Sequence, residues 1–416
     1  MNNMPTDMKF YKYIVESFVI LLPDDPVPIV IEPKHITDIA IERDYDDDYY
    51  PIIRLSTILT PTVYFNILKN KLGVRFKLRI QKFIYDKSNQ FQFKTDVFNR
   101  IFSVYLNEDT PFMSQSTYDE TKKVEKSETT PKDLSNEFTF YLFNEWDLIN
   151  TRRINNKIFS NCNMTDVLTH MLGINHFIEV LMTPLDNTTV YEEVIFPPLP
   201  FLGGLLALEQ AYGFYKNGLL LFFDVECTYF IDLNVKCTAF RLAEYTQTVF
   251  NIRDSISSDV FTPGSYVDDI NKKFIINVLP NTIQMHSHSI VTDQTEGNNL
   301  LIINPETGIT TDLRTNSTER KDGTYKVMVN KNNNKYCNSM AKLQRSENSK
   351  IITLSIGDFD TDVITPNKEF LFVFENQKIN TEYGGNYRIS KNHIVFNKQG
   401  EDFTINATCE FRKYTE

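Results

Sequence analysis

The chain has 416 residues, which is enough for about two or three domains of ordinary size. Its composition is 41% hydrophobic and 23% charged, and this balance excludes a wholly disordered or collagen-like protein. With 43 basic against 54 acidic residues the net charge is −11, which argues against nucleic-acid binding because a surface that follows phosphates needs clustered lysine and arginine.

Residues 1–150 have the pattern of a β domain. The chain is rich in Phe and Tyr, with 32 and 21 residues, and these side chains fit the pleated surface of a sheet. Residues 74–81 alternate strictly, so that Val74, Phe76 and Leu78 share one face and the cations lie on the other. Further strands are predicted at 11–22, 36–41, 52–59, 91–105 and 138–143, with a short helix at 63–68. An antiparallel barrel or sandwich would accommodate these strands.

A polar stretch interrupts this first domain at 107–137. Its runs of charged and small polar residues, such as TYDETKKVEKSETTPKD, contain too little apolar surface to offset the entropy lost on ordering. We therefore predict a long surface loop or a disordered excursion. A loop of that size inside a domain is often functional, which keeps an interaction role open.

Residues 151–250 predict a mixed α/β domain, because the apolar period changes to that of a helix. In NMTDVLTHMLG the apolar residues share one helical face, Asn163 can cap the start and Gly173 can close the end. A second helix is predicted in PFLGGLLALEQAYG. There Gly203 and Gly204 cost helix stability, which indicates close packing against a neighbouring backbone. A glycine turn then leads into the strand LLLFFDV.

Residues 251–416 return to strands separated by Gly, Asn and Asp turns. Strands are predicted at 274–278, 351–356, 370–374, 387–389, 393–396 and 403–411. Long solvated loops are expected at 296–298 and 330–350. The chain is therefore predicted to be α+β and mainly β, with two β domains flanking a mixed insert.

Few residues have the spacing of a chemical site. Residues 44–48 start like a calcium loop, D-x-D-x-D, but the Gly and Glu required at the sixth and twelfth positions are missing, so a solvated acidic turn is expected. His286 and His288 would share a face of a strand, without an identifiable third metal ligand. Glu145 and Asp147 could form a carboxylate pair, although acids at a strand end are mostly solvated rather than catalytic.

Cys162 precedes a predicted helix, where the helix dipole would lower the pKa of its thiol. Because no histidine is placed beside it by sequence, a small buried residue is the expectation. The nucleophile-elbow, P-loop, dinucleotide and HExxH motifs do not occur in the sequence. We therefore predict no catalytic, cofactor-binding or metal-binding residues, and a protein that is not an enzyme.

The five cysteines are odd in number and widely spaced, so neither a disulfide framework nor a zinc module is indicated. No stretch approaches the roughly 18 apolar residues of a membrane span, and the first residues lack the pattern of a signal peptide. The expectation is a soluble protein, made in the cytosol, with no membrane segment and no secretion signal of its own.

Three segments resemble the baseplate hub proteins of contractile-tailed bacteriophages. In VIFPPLPFLGGLLALEQAYGFYKNGLLLFFD, a proline-rich stretch leads into a helix, a Tyr-Gly pair and an aromatic strand. The segment RRINNKIFSNCNMTDVLTHMLG is similar to the short segment that opens the middle domain of those proteins. In IERDYDDDYYPIIRLSTIL, an acidic turn runs into an apolar strand, as in the early strands of the hub. The order of the three segments carries the resemblance.

The resemblance implies a structural protein of the virion tail baseplate, made in the host cytoplasm. Its β domains, 1–150 and 251–416, would be tube-like antiparallel barrels flanking the middle domain, 151–250. Three chains would form a ring that continues the tail tube and lets the genome pass without stable nucleic-acid binding. The implied partners are two further copies of the chain, the tail tube protein, the central spike or lysin protein, the baseplate wedge proteins and the tape measure protein.

Two other classes of function stay open at this point. A tail-associated cell-wall hydrolase would need a carboxylate pair or a metal site in a cleft. A carbohydrate-binding adhesion module would need aromatic residues exposed on one sheet face.

Overall fold

The structure is a computed structural model that describes the chain in fourteen stretches. The described residues are 9–70, 73–86, 90–105, 136–175, 179–215, 218–233, 247–253, 264–268, 273–287, 299–303, 310–312, 325–329, 350–400 and 402–413.

These residues form strands and a smaller number of helices. The strands are β1 (Lys9–Leu21), β2 (Ile29–Ile31), β3 (Ile36–Asp44), β4 (Ile52–Leu59), β5 (Arg75–Asp86), β6 (Phe91–Tyr105), β7 (Asn136–Asn144), β8 (Ile154–Cys162), β9 (Val180–Met182), β10 (Tyr191–Pro200), β11 (Leu219–Phe223), β12 (Thr228–Asp232), β13 (Gln247–Ile252), β14 (Gly264–Asp268), β15 (Lys273–Val278), β16 (Ile283–Ser287), β17 (Asn299–Ile303), β18 (Thr310–Asp312), β19 (Tyr325–Val329), β20 (Lys350–Gly357), β21 (Glu369–Phe374), β22 (Gly385–Gln399) and β23 (Asp402–Lys413). The α-helices are α1 (Pro61–Lys69), α2 (Glu145–Arg152), α3 (Met164–Ile174), α4 (Phe201–Ala211) and α5 (Gln377–Tyr383).

Eight antiparallel strands close into a barrel in the order β1-β5-β6-β7-β4-β3-β22-β23. Closure occurs because β23 pairs with both β22 and β1, so the sheet returns to its first strand. Alternate residues of β1 fill the interior: Tyr13 and Val15, then, after a register shift at residue 16, Phe18 and Ile20. The strands predicted in the first 150 residues are confirmed, and so is the mainly β character of the chain.

A second sheet branches from β22 and β23, two strands of the barrel. The order β14-β15-β13-β21 continues from β22, and β20-β16 continues from β23. Strand β13 runs parallel to both β15 and β21. The resemblance implied a purely antiparallel barrel for this region, and the parallel pairs correct that expectation. Strand direction depends on how the connections cross the sheet, and residue alternation carries no information about it. A separate three-stranded sheet contains β17, β18 and β19.

The middle region has its own apolar core, built from α3, α4, the two-stranded ribbon β8-β10 and the sheet β11-β12-β9. Helix α3 starts with a capping box, in which Asn163 and Asp166 each accept from the backbone N–H of the other. The helix continues past Gly173 and ends before Asn175, whose side-chain amide donates to the Met171 carbonyl (2.8 Å). The predicted helix is therefore confirmed, with its end one residue later.

Two other sequence expectations meet the structure differently. The strands predicted at 387–389 and 393–396 are one strand, β22, with a register shift at Ser390. The polar stretch 107–137 lies outside the described residues apart from 136 and 137, which begin β7, and so do the loops at 296–298 and 330–349. The division of the chain into 1–150, 151–250 and 251–416 stays a prediction.

The two glycines of α4 have different surroundings. A Cβ placed on Gly204 would lie 2.2 Å from the ring of the fully buried Phe196, so the close packing predicted here is against an aromatic ring rather than a backbone. A Cβ on Gly203 would lie 3.7 Å from Leu199, which is ordinary contact.

We expect opposite effects when each glycine is replaced by alanine. Gly204→Ala should lower the free energy of unfolding by about 1–3 kcal/mol, because the Phe196 ring must move. Gly203→Ala, the matched control in the same helix, should raise it by up to about 1 kcal/mol through helix propensity. Urea denaturation of both variants checks this, and equal effects of the two substitutions would contradict the packing described.

Candidate functional site

Two long strands, β22 and β23, belong to both the barrel and the second sheet. The second half of β22 pairs with β3 in the barrel, whereas its first residues pair with β21. Along β23, Phe403 pairs with Tyr13 of β1, and residues 406–412 pair with β20. The two β regions are therefore joined by continuous backbone hydrogen bonding rather than by a flexible linker.

The ladder of β22 is interrupted at Ser390, where a β-bulge shifts the register between Ile389 and Lys391. The Ser390 carbonyl accepts from the backbone N–H of Tyr45 (2.9 Å), and its hydroxyl donates to the Glu410 carboxylate (2.8 Å). A bulge leaves backbone groups without a ladder partner and bends its strand. The contact with Tyr45 satisfies such a group and brings the turn after β3 onto the bulge.

The acidic turn at residues 44–48 is shaped by Asp44. Its carboxylate accepts from the backbone N–H groups of Asp46 and Asp47, both at 3.1 Å, which is the geometry of an Asx turn. The same carboxylate pairs with Lys391, the residue that follows the bulge. The turn is therefore tied to β22 by a charge as well as by the backbone.

Asp46 lies between two arginines of the shared strands. Its carboxylate is 2.7 Å from Nη1 of Arg388 on β22 and 3.2 Å from Nε of Arg412 on β23. All three side chains are largely buried, so loss of one partner leaves charges that are neither hydrated nor paired. The expectation of a solvated acidic turn is therefore wrong for Asp44 and Asp46. Composition could not reveal this, because Asp46 and Arg388 are 342 residues apart in the chain.

A second buried ion pair attaches the middle region to the barrel. The Nε atom of Arg43 on β3 is 2.8 Å from both carboxylate oxygens of Asp224, which follows β11. Burial alone would lower the pKa of the Arg43 guanidinium, but the Asp224 carboxylate outweighs burial and the pKa is raised. Two contacts between neighbours of this pair support it: Tyr45 packs edge-on against Phe222, and Phe223 donates its N–H to the Tyr49 carbonyl (2.8 Å).

A third contact fixes the connection between β20 and β21. The buried Lys82 ammonium on β5 lies 2.6 Å from Asp360 and 2.7 Å from Asp362. Burial would lower the pKa of Lys82, and the two carboxylates outweigh it, so the pKa is raised. Beside it the Tyr13 hydroxyl donates to the Phe359 carbonyl (2.9 Å). These contacts hold the connection against the barrel where β1 and β23 share their single paired position.

A cavity of ≈ 320 Å³ lies between the barrel, the middle region and this connection. Three of the carboxylates that line it are each bound to a cation: Asp224 to Arg43, Asp362 to Lys82 and Asp96 to Arg79. These groups are engaged in holding the three parts together. The cavity is therefore a junction of structural elements, and Glu226, which also lines it, lies 4.0 Å from Arg100.

The sequence-predicted acids Glu145 and Asp147 do not form a pair across a cleft. Both lie in the first turn of α2 rather than at a strand end. Glu145 contacts Arg75 (3.6 Å), whereas Asp147 is buried in a small pocket with Arg100 and Asp224. Burial raises the pKa of Asp147 to about 7, with Arg100 opposing the rise and Asp224 adding to it.

The other flagged residues are not assembled into a site. Cys162 is buried at the end of β8, and burial raises the pKa of its thiol, as expected for a structural residue. His286 is exposed on β16, and His288 lies outside the described residues. Within the described stretches no three His, Cys, Asp or Glu side chains come together as a metal site would require. None of the helices in that part of the chain is long and apolar enough to cross a membrane.

Sequence reasoning missed the cations that matter most. Extending the apolar alternation of 74–81 by one step places Lys82 on the buried face of β5. In the same way, the alternation of Ile39 and Ile41 on β3 places Arg43 on the buried face of that strand. A charged residue that continues an apolar face was therefore an available signal. Arg388 had no such signal, because its neighbours on both sides are buried.

The fold is shared with a tail protein of known structure. The tail protein from Neisseria meningitidis MC58 shares the fold with a TM-score of 0.50 at 10% identity, over 96% of both chains. The chain belongs to the family of the Bacteriophage PBS1 gene 109 protein, whose family model matches residues 11–414. The resemblance to the baseplate hub proteins of contractile-tailed bacteriophages is confirmed at the level of a phage family and a tail-protein fold.

Other solved structures are more distant. The Francisella PdpA-VgrG complex, in its lidded form, matches with a TM-score of 0.48 at 11% identity; this chain is covered in full and 55% of that chain is covered. The 43 kDa tail protein of prophage MuSo2 from Shewanella oneidensis matches with a TM-score of 0.45 at 10% identity, over 95% of this chain and 96% of that one. None of the curated proteins matches the sequence.

We expect Asp46→Asn to be strongly destabilising. The amide cannot neutralise Arg388 and Arg412, so the free energy of unfolding should fall by about 3 kcal/mol. Asp48→Asn, an exposed acid in the same turn, is the matched control and should change it by less than about 0.5 kcal/mol. Denaturant titration of both variants is the measurement. Equal stability of the two would show that the buried cluster contributes nothing.

The buried Asp147 predicts a pH dependence of stability. Its folded pKa of about 7 lies above that of an unfolded aspartate, so the folded state keeps a proton that the unfolded state releases. The favourable contribution of the protonated Asp147 carboxyl to the free energy of unfolding is fully present below about pH 4 and is lost as the pH rises towards 7. Asp147→Asn should therefore stabilise the protein at pH 8 by about 2 kcal/mol and change little at pH 4.

The control for this prediction is Glu145→Gln in the same helical turn. The Glu145 carboxylate is less buried and already pairs with Arg75. Replacing it with an amide should therefore not stabilise the protein at pH 8. Thermal unfolding followed from pH 4 to 8 compares the two variants. A gain for Asp147→Asn that is the same at every pH would contradict the assignment to its ionisation.

Proposed function

We propose that this chain is a structural hub protein of a phage tail baseplate, which forms a trimeric ring between the tail tube and the central spike and lets the genome pass. The observation that carries the proposal is the pair of shared strands, because it builds two β regions of one chain into one continuous unit. Membership of a bacteriophage family and the fold of a tail protein support it.

The symmetry argument rests on the two β regions. If both are tube-like, three chains present six similar units, which is how a threefold ring can dock on a sixfold tube. We propose the division 1–150, 151–250 and 251–416 for the first tube-like domain, the middle domain and the second tube-like domain. In this arrangement β22 and β23 of the last stretch complete the first barrel.

The three buried ionic contacts are consistent with a structural protein whose parts keep a fixed orientation. Asp46 ties the turn after β3 to the two shared strands, Arg43 links the barrel to the middle region, and Lys82 links it to the connection after β20. A ring between tube and spike has to keep its parts in one orientation while partners attach. The proposed partners are the tail tube protein, the central spike or lysin protein, the baseplate wedge proteins and the tape measure protein.

The net charge of −11 fits a channel through which a genome moves. A mildly acidic wall repels phosphates and lets the nucleic acid slide, whereas a basic wall would retain it. The proposed location is the baseplate of the virion tail.

An enzymatic role has less support. A cell-wall hydrolase needs two carboxylates on either side of a scissile bond, and Glu145 and Asp147 are engaged separately. The adhesion alternative has one observation in its favour, since Phe10 and Phe91 are exposed on a strand surface. We propose a second copy of the chain as the partner of that surface, and the experiment that tests this partner also detects sugar binding.

The copy number in assembled tails tests the proposed function. We expect three copies at the junction of tube and spike in a cryo-electron microscopy reconstruction computed without imposed symmetry, with two β regions of each copy facing the channel. Quantitative mass spectrometry of purified tails, with the tube protein as the internal standard, provides an independent count. Six copies per ring, or one asymmetric copy, would exclude the trimeric hub.

A further inference from the structure

Two apolar faces in well-separated parts of the sequence are exposed. The first, the aromatic face, lies on the outer side of β1, β5 and β6. It consists of two cross-strand rows. One row is Phe10–Tyr85–Phe91, and the other, about two residues further along the strands, is Lys12–Phe83–Lys94.

The aromatic face is built as a contact surface. Phe10 is 49% exposed and Phe91 is 54% exposed, so about half of the area of each residue stays in contact with solvent. The lysines stand over the rings: Nζ of Lys12 is 5.5 Å from the centre of Tyr85, and Nζ of Lys94 is 5.9 Å from that of Phe83. The face therefore offers aromatic area with positive charge at one side, where Lys12 also pairs with Asp402 of its own chain (3.3 Å).

The second, the ribbon face, lies on the outer side of the β8-β10 ribbon. Its rows are Ile154–Pro200, Ile158–Ile195 and Ser160–Glu193. Ile154 is 70% exposed and Ile158 is 59% exposed, whereas the opposite side of the ribbon packs on the core of the middle region through Val194 and Phe196. The ribbon face therefore offers aliphatic area that ends in the exposed carboxylate of Glu193.

The two faces match in spacing and in charge. On the aromatic face the lysine row lies about two residues from the aromatic row, and on the ribbon face Glu193 lies two residues from Ile195. Two residues of a strand span about 6.5–7 Å. When the aromatic row covers the row of Ile158 and Ile195, the lysine row therefore lies over Glu193.

We infer that the aromatic face of one copy of this chain packs against the ribbon face of the next copy. Because the two faces are different, the contact is head-to-tail, and a head-to-tail contact closes into a ring when the rotation between copies permits. The inference rests on the proposed ring and adds the surfaces that form it. Exposed apolar patches with a charged rim are the usual anatomy of such interfaces.

Zero-length cross-linking tests the contact on the unmodified full-length protein. A carbodiimide activates a carboxylate, and attack by a lysine amine forms an amide bond with release of the urea. We expect an amide between Lys94 or Lys12 and Glu193 in a mixture of ¹⁴N- and ¹⁵N-labelled protein, at a concentration where native mass spectrometry detects oligomers. Peptides that combine the two labels show that the bond joins different copies.

Charge exchange separates this contact from a general loss of association. Lys94→Glu alone and Glu193→Lys alone should each weaken self-association by about tenfold in the dissociation constant, and the double variant should restore it. Two matched controls are Lys77→Glu, exposed on β5 away from the aromatic row, and Glu192→Lys, the neighbour of Glu193 along β10. Both controls should associate like the unmodified protein.

The outcomes distinguish the contact from the proposed function. A trimer whose cross-links join other surfaces, or a double variant no better than the singles, overturns the pairing of faces and leaves the hub intact. A protein that stays monomeric up to the highest soluble concentration, and whose cross-links are absent from purified tails as well, overturns the pairing too. Binding of glycans that is lost in Phe91→Ala while self-association is unchanged would assign the aromatic face to adhesion instead.

Discussion

The structure depends on two strands that serve two sheets at once. A strand that belongs to a closed barrel has both edges occupied there, so β22 and β23 can reach a second sheet only by extending beyond it and exchanging neighbours. The exchange happens at the bulge of Ser390 on β22 and between Phe403 and residue 406 on β23. At the bulge, the Tyr45 N–H satisfies the Ser390 carbonyl that this exchange leaves without a ladder partner.

The junction uses charges where most β proteins use apolar side chains. A buried ion pair gains little over a well-packed apolar pair of the same volume, but a broken one is costly. We infer that Asp46 with its two arginines contributes to the choice of one register more than to stability. A one-residue slip of β22 would turn Arg388 to the opposite face, away from Asp46, and leave both charges buried and unpaired.

The local elements could be predicted from the sequence to a large extent, and the pairing could not. Alternation located β5 and the later β strands, and the N-cap of α3 was readable at Asn163, because these signals involve neighbours in the chain. The parallel neighbours of β13 and the partnership of Asp46 with Arg388 depend on residues far away in sequence. The acidic turn illustrates this limit: its charge was evident, but whether it faced water depended on cations beyond residue 380.

Two of the three ionic contacts link the barrel to another part of the chain: Arg43 to the middle region and Lys82 to the connection after β20. Arg43 and Asp224 line one cavity together with Asp362, whose cation partner is Lys82. A displacement of the middle region would therefore expose charges beside those that hold the connection after β20. Because unpaired buried charges are costly, the lowest-energy response is for the two parts to stay together or to move together. The barrel, the middle region and the connection after β20 are thus coupled through the charges around one cavity.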